Sequence, residues 1–106
     1  MPRGIMYVET MPRSADREAE YHEWYNGTHL AEITSVDGIV SARRFASVDG
    51  NGPFIAIYEL DCDDLEGAVQ RLSDLAAAGR MSSIELLSLD PPPVPKVYRE
   101  IASTES

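Results

Sequence analysis

The 106-residue chain has a single cysteine, Cys62, so it can form neither an internal disulfide nor a cysteine-rich zinc site. Basic residues are scarce. Nine Lys and Arg stand against eighteen Asp and Glu, a net charge of −9. Phosphate binding is carried by Lys and Arg, so nucleic acid and anionic membrane surfaces are excluded as partners. No run approaches the ~18 apolar residues of a membrane span, and the opening MPRGIMYVETMPRS holds no signal-peptide core. A cytoplasmic, reducing setting is expected, and the Asn26-Gly27-Thr28 sequon is then a chance match. A Gly-rich phosphate loop, a dinucleotide fingerprint, a Ser-His-Asp order and a His-Glu-x-x-His pattern are all missing. No cofactor and no metal site is therefore expected. Internal repeats and linkers are missing too, and the length fits one domain over residues 1–106.

What is present alternates between two periods. Gly4–Thr10 reads as a strand, with Ile5, Tyr7 and Glu9 on one face and Met6, Val8 and Thr10 on the other. Ser14 is the expected N-cap of a helix from about Ala15 to Val36, bent or broken at Asn26-Gly27. Tyr21, Tyr25, Thr28, His29, Glu32 and Val36 fall near one stripe of it, with Ile33 beside them. After the Asp37-Gly38 stop, Ile39–Val48 is a second strand. Simple alternation puts Ile39, Arg43 and Phe45 on one face and Val40, Ala42 and Arg44 on the other. The turn at 49–53 leads to a third strand, Phe54–Leu60, apolar on both faces. Asp61 is the expected N-cap of a second helix through Leu65, Ala68, Val69, Leu72 and Leu75, closed by Gly79. Ser83–Leu89 fits a strand or a helical turn, and Val94–Ala102, beyond three prolines, is the fourth strand.

The order β-α-β-β-α-β predicts an α+β, ferredoxin-like antiparallel sheet with both helices on one face. Its second face still carries apolar residues. A second copy packed sheet to sheet would cover them, so a homodimer is expected.

The chemically capable side chains gather in Tyr21–Phe45, whose first nine residues hold both histidines, the only tryptophan and two of five tyrosines. His29 can move a proton near neutral pH, or simply hydrogen-bond a backbone carbonyl. Tyr25 lies one helical turn from it. Tyr7 and Tyr58, in mid-strand, bring rings to the core and hydroxyls that need partners. Trp24 packs or recognises a ligand, and Asn26 can donate to a substrate carbonyl or end a helical turn. Arg43 and Arg44 point to opposite faces, so one of them is placed to bind a carboxylate or enolate; Arg43 is the first choice.

The run HEWYNGTHLAEITSVDGIVSARRF resembles the dimeric α+β barrel proteins, and within them the EthD-like group, in Trp24, His29, Asp37-Gly38 and Arg43-Arg44-Phe45. The Pro-rich insert before the last strand departs from that pattern. The resemblance implies a homodimeric barrel and a pocket for a small hydrophobic molecule. The expected activity is a cofactor-independent enzyme acting on an aromatic or polyketide-like substrate by cyclisation, dehydration, decarboxylation or oxygenation. His29 is its general acid/base, with Tyr7, Tyr25, Tyr58, Asn26, Trp24 and Arg43 around the substrate. A non-catalytic ligand-binding or accessory dimer and a haem-handling relative are the alternatives.

Overall fold

The structure is a computed structural model describing residues 3–82, 85–90 and 92–104. Four strands, β1 (Arg3–Thr10), β2 (Ile39–Phe45), β3 (Phe54–Asp61) and β4 (Lys96–Arg99), form one sheet in the order β2-β3-β1-β4. Every pairing is antiparallel. The fold is α+β and ferredoxin-like, with β1 seated between β3 and β4 and β3 between β1 and β2. Among the described residues no helix is long and apolar enough to cross a membrane.

Met6, Val8, Ala56, Tyr58 and Leu60 point at the helices and are buried. Met6 lies opposite Tyr58 and Val8 opposite Ala56. The other face carries Ile5, Tyr7, Ile55 and Ile57, half-exposed, with Phe45 and Tyr98 exposed. In β2 the simple alternation fails. Ile39 pairs with Leu60 but Ser41 with Glu59, so Val40 is an extra, bulged residue. The bulge turns Ile39 inward, 2% exposed, onto the same face as Ala42 and Arg44, and leaves Val40 54% exposed. Gly38 precedes it at φ +96°, a left-handed conformation that glycine adopts without strain.

The first helical region is not uniform. A 3₁₀ turn (Ala15–Arg17) leads into α1 (Glu18–Trp24), a π-helical turn (Tyr25–His29) and α2 (Leu30–Thr34). Ser14 occupies the N-cap position, but its side chain makes no capping bond. The predicted break near Gly27 takes the form of the π turn, in which the Leu30 N–H reaches back to the Tyr25 carbonyl. Sequence spacing explains why a wider turn suits this segment. The buried residues Tyr21, Tyr25, His29 and Ile33 recur every four positions. At 3.6 residues per turn each step of four overshoots by about 40°, so three steps would drift about 120° off the sheet. A looser turn takes back part of that drift. Thr28, placed on the stripe by 3.6 periodicity, is exposed for the same reason.

The second long helix, α3 (Leu65–Ala77), is capped by Asp64, whose Oδ1 accepts from the Gly67 N–H at 3.0 Å. Asp61 belongs instead to β3, which runs one residue further than its apolar pattern. Beyond α3 the segment from 85 to 90 forms neither strand nor helix. Leu87 bridges Pro12, and the Arg13 N–H donates to the Leu86 carbonyl at 2.8 Å. Ser83 and Ile84, in the ambiguous stretch, and Pro91, in the proline run, lie outside the described residues.

Two glycines give a direct test of this packing. A Cβ on Gly4 would collide with the Tyr98 carbonyl and come within 2.9 Å of Leu65 Cδ1, whereas one on Gly27 would meet nothing within 4 Å. Gly4→Ala is expected to cost about 1–3 kcal/mol in urea unfolding, the usual penalty of overpacking. Gly27→Ala is expected to be neutral or to stabilise by up to about 1 kcal/mol.

Candidate functional site

The last turns of α1 and the π turn together bring four aromatic or imidazole rings, Tyr21, Trp24, Tyr25 and His29, towards the inner face of β1–β3. Tyr21 and Tyr25 are 0% and 1% exposed, and His29 is 9% exposed. The His29 ring stacks on Trp24, with centroids 4.4 Å apart, and meets Tyr25 edge-on at 4.9 Å. Tyr25 Oη lies 2.8 Å from Tyr58 Oη, so two buried phenols satisfy each other across the helix–sheet boundary.

Below His29 sits a carboxylate with three donors. Glu32 Oε1 accepts from Ser82 Oγ at 2.6 Å and faces His29 Nδ1 at 3.3 Å, while Oε2 accepts from the Ser82 N–H at 2.7 Å. Trp24 Nε1 donates to the same Ser82 Oγ at 2.8 Å. Burial alone would raise the Glu32 carboxyl, but the bonds from Ser82 and His29 outweigh it and hold its pKa below the ordinary value. A carboxylate can only accept, so His29 Nδ1 carries the proton and Nε2 keeps its lone pair. Burial lowers the His29 pKa, and the bond and charge of Glu32 offset this only in part. The imidazole is therefore neutral at neutral pH, with a fixed tautomer.

A second cluster adjoins the first. Arg44 reaches from β2 under α1: Nη1 donates to Asn26 Oδ1 at 2.8 Å and to His22 Nδ1 at 3.2 Å, and Nη2 donates to Tyr21 Oη at 3.0 Å. Its guanidinium carbon lies 4.3 Å from the Tyr25 ring centroid, with the Tyr21 and Phe54 rings at 5.1 and 5.9 Å. Tyr21 Oη also shares a bond with Thr10 Oγ1 at 2.6 Å. Burial raises the pKa of both Tyr25 and Tyr58, and the nearby Arg44 charge works against that rise. Burial lowers the pKa of His22, and Arg44 lowers it further.

Of the residues singled out in the sequence, the structure brings together His29, Trp24, Tyr25, Tyr58 and Asn26. It does not bring Tyr7 or Arg43 to them. Tyr7 alternates onto the opposite sheet face, where its hydroxyl donates to Glu9 at 2.9 Å. There it lines a hollow of about 460 Å³ with Thr10, Pro53, Val94 and Lys96 among others. Arg43 is exposed on that same face, its guanidinium 5.7 Å from the Phe45 ring centroid. A second hollow, of about 520 Å³, lies at the far end of the sheet between Arg3 and Glu100. His29 lines neither. Sequence reasoning weighed Arg44 but chose Arg43, placed Tyr21 on the helical stripe without a role at the site, and passed over Ser82. Arg44 had left a signal, as the one charge on the otherwise apolar face of β2. Ser82 had left none, because nothing local marks a serine 50 residues from its partner. Among the described residues no three His, Cys, Asp or Glu side chains converge on a point.

Neither protein-family models nor curated proteins gave a match to the chain. Solved structures did. A candidate monooxygenase of Shewanella loihica superposes with a TM-score of 0.59 at 18% identity, over 97% of this chain and 99% of that one. Rv0793 of Mycobacterium tuberculosis gives a TM-score of 0.55 at 16% identity, over 99% and 100%. The ActVA-Orf6 monooxygenase of Streptomyces coelicolor, in complex with nanaomycin D, gives 0.55 at 21% identity, over 97% and 92%. The architecture is thus the ferredoxin-like α+β fold that these structures share. At these identities the likeness is one of fold, and function rests on the site.

The lowered His29 pKa fixes a sign. The unfolded imidazole takes a proton near pH 6.5 and the folded one resists until lower pH. Between those values the unfolded chain binds more protons, so stability falls as pH drops from about 6.5. His22 acts with the same sign. His29→Gln is expected to flatten, though not abolish, the decline in urea midpoint as pH falls below about 6.5; an unchanged slope would show that the folded imidazole titrates normally.

Proposed function

We propose that the chain is a small cofactor-independent enzyme of oxygenase type, acting on a hydrophobic aromatic or polyketide-like phenol held against the π turn. The observation that carries this is the neutral His29, its Nδ1 committed to Glu32 and its Nε2 left as a base. It stands edge-on to one of two hydrogen-bonded tyrosines in an aromatic layer. Nε2 takes the phenolic proton, and the electron-rich phenolate that results is the form that reacts with dioxygen. Tyr25 and Tyr58 offer hydroxyls to the substrate's carbonyl or phenolate oxygen. Trp24 and Asn26 complete the wall and the rim. The fold shared with monooxygenases supports this chemistry, and the Trp24–His29 pattern supports a place near the EthD-like group.

We also propose that the chain works as a homodimer in the cytoplasm, two open sheet faces packing together through Ile5, Ile55, Ile57, Phe45 and Tyr98. Light scattering is expected to give the mass of two chains, and Ile57→Glu to give one.

A second reading, a non-catalytic binding dimer, draws on the hollow beside Tyr7, which His29 does not line. Oxygen uptake on hydroxylated naphthoquinones and anthrones, without added flavin or metal, separates the two. His29→Gln is expected to cut turnover about 10²- to 10⁴-fold, the worth of a positioned proton-transfer group. Turnover indifferent to His29, or absent across the panel while ligands bind beside Tyr7, favours the binding protein.

A further inference from the structure

We propose that Arg44 is the anchor for a planar two-oxygen anion on the ligand, a carboxylate or an ionised hydroxyl–carbonyl pair. Three of its five N–H groups are spent on neutral acceptors: Asn26, His22 and Tyr21. Nη1 makes two of these bonds and Nη2 one. The Nε–H is left over, and Nη2, which makes one bond, shares the Nε edge of the planar guanidinium. That edge is the fork that takes a carboxylate in bidentate fashion.

Two further observations make the free edge a site. Nε is buried and has no hydrogen-bond partner, and an orphaned buried donor calls for a ligand or a water. The charge itself is also unmatched. In a chain with twice as many acids as bases, no carboxylate among the described residues lies within ion-pair distance of Arg44. Removing a cation from water without a counter-ion is costly, and the three surrounding rings recover part of that cost through cation–π attraction. They also surround the guanidinium with flat apolar surface, which suits an aromatic body attached to the anion. Asn26 is exposed, and His22 and Phe54 are half-buried, so the cluster lies at the margin of the core rather than at its centre.

The proposal rests on the reading that the aromatic layer is the ligand site, but its test needs no turnover. Calorimetric titration compares 2-naphthoate with its neutral methyl ester, and 1-hydroxy-2-acetonaphthone above and below its ionisation. On the wild-type chain the charged form is expected to bind about 10- to 100-fold more tightly, the worth of a charge-assisted bidentate bond. Arg44→Gln is expected to abolish that preference, and Arg44→Lys, which keeps charge but not the fork, to lose most of it. His29→Gln is expected to leave the naphthoate-over-ester preference intact, since neither compound carries a phenolic proton, so loss of catalysis and loss of anion binding are told apart. Preference for the naphthoate alone assigns a carboxylate, and preference for the ionised hydroxyketone assigns the enolate-like pair. Equal binding of charged and neutral forms, no saturable binding of any, or a preference that survives in Arg44→Gln would make Arg44 only a structural link between β2 and α1. Equal binding of charged and neutral forms by the wild-type chain overturns the proposal even where a variant fails to fold.

Discussion

The four-residue spacing of Tyr21, Tyr25, His29 and Ile33 is the constraint on which the rest depends. An α-helix cannot hold that repeat against a flat sheet, because its own repeat is shorter. The chain resolves the mismatch with a π turn at Tyr25–His29, widening the helix where the chemically capable residues sit. The wider turn lets Tyr25 meet Tyr58 and brings His29 under Trp24. Other contacts then fix what the turn has placed. Ser82 ties the loop after α3 to Glu32, and Glu32 fixes the His29 tautomer. Arg44, turned inward by the alternation that follows the Val40 bulge, closes the layer from below.

Two kinds of buried polarity therefore share one layer, and they are balanced differently. The Glu32 carboxylate is saturated, with Ser82 donating twice and His29 once. The Arg44 guanidinium is unsaturated in both hydrogen bonding and charge. A saturated group is best read as scaffold and an unsaturated one as an invitation to a partner. The phenols Tyr25 and Tyr58 lie between them. Burial holds both in the protonated form, and the Arg44 charge opposes that.

Much of the fold was legible in the sequence because periodicity reports which face is buried. The four strands followed from it, while the helix stop at Asp37-Gly38 and the weakness at Gly27 were marked by their turn residues. The failures share a cause, which is that alternation and 3.6 spacing assume regular elements. One bulged residue at Val40 reversed the facing of Ile39, and one π turn moved Thr28 to the surface. Arg43 was preferred over Arg44 although strand alternation already separated them; the apolar company of Arg44 was the better guide. Tyr7 alternates away from the helices as expected, and for that reason cannot share a wall with His29. Ser82 was out of reach, since its bonds to Glu32 and Trp24 close loops of about fifty residues that no local pattern records.

The central claim is that the ligand site lies between the π turn and the inner face of the sheet. A crystal structure of the chain with 2-naphthoate bound tests it most directly. The account predicts an aromatic body against Tyr21, Tyr25 and Phe54, with both carboxylate oxygens on Nε and Nη2 of Arg44. A naphthoate lodged in the hollow beside Tyr7 and Lys96, with the Arg44 cluster unchanged, would contradict it.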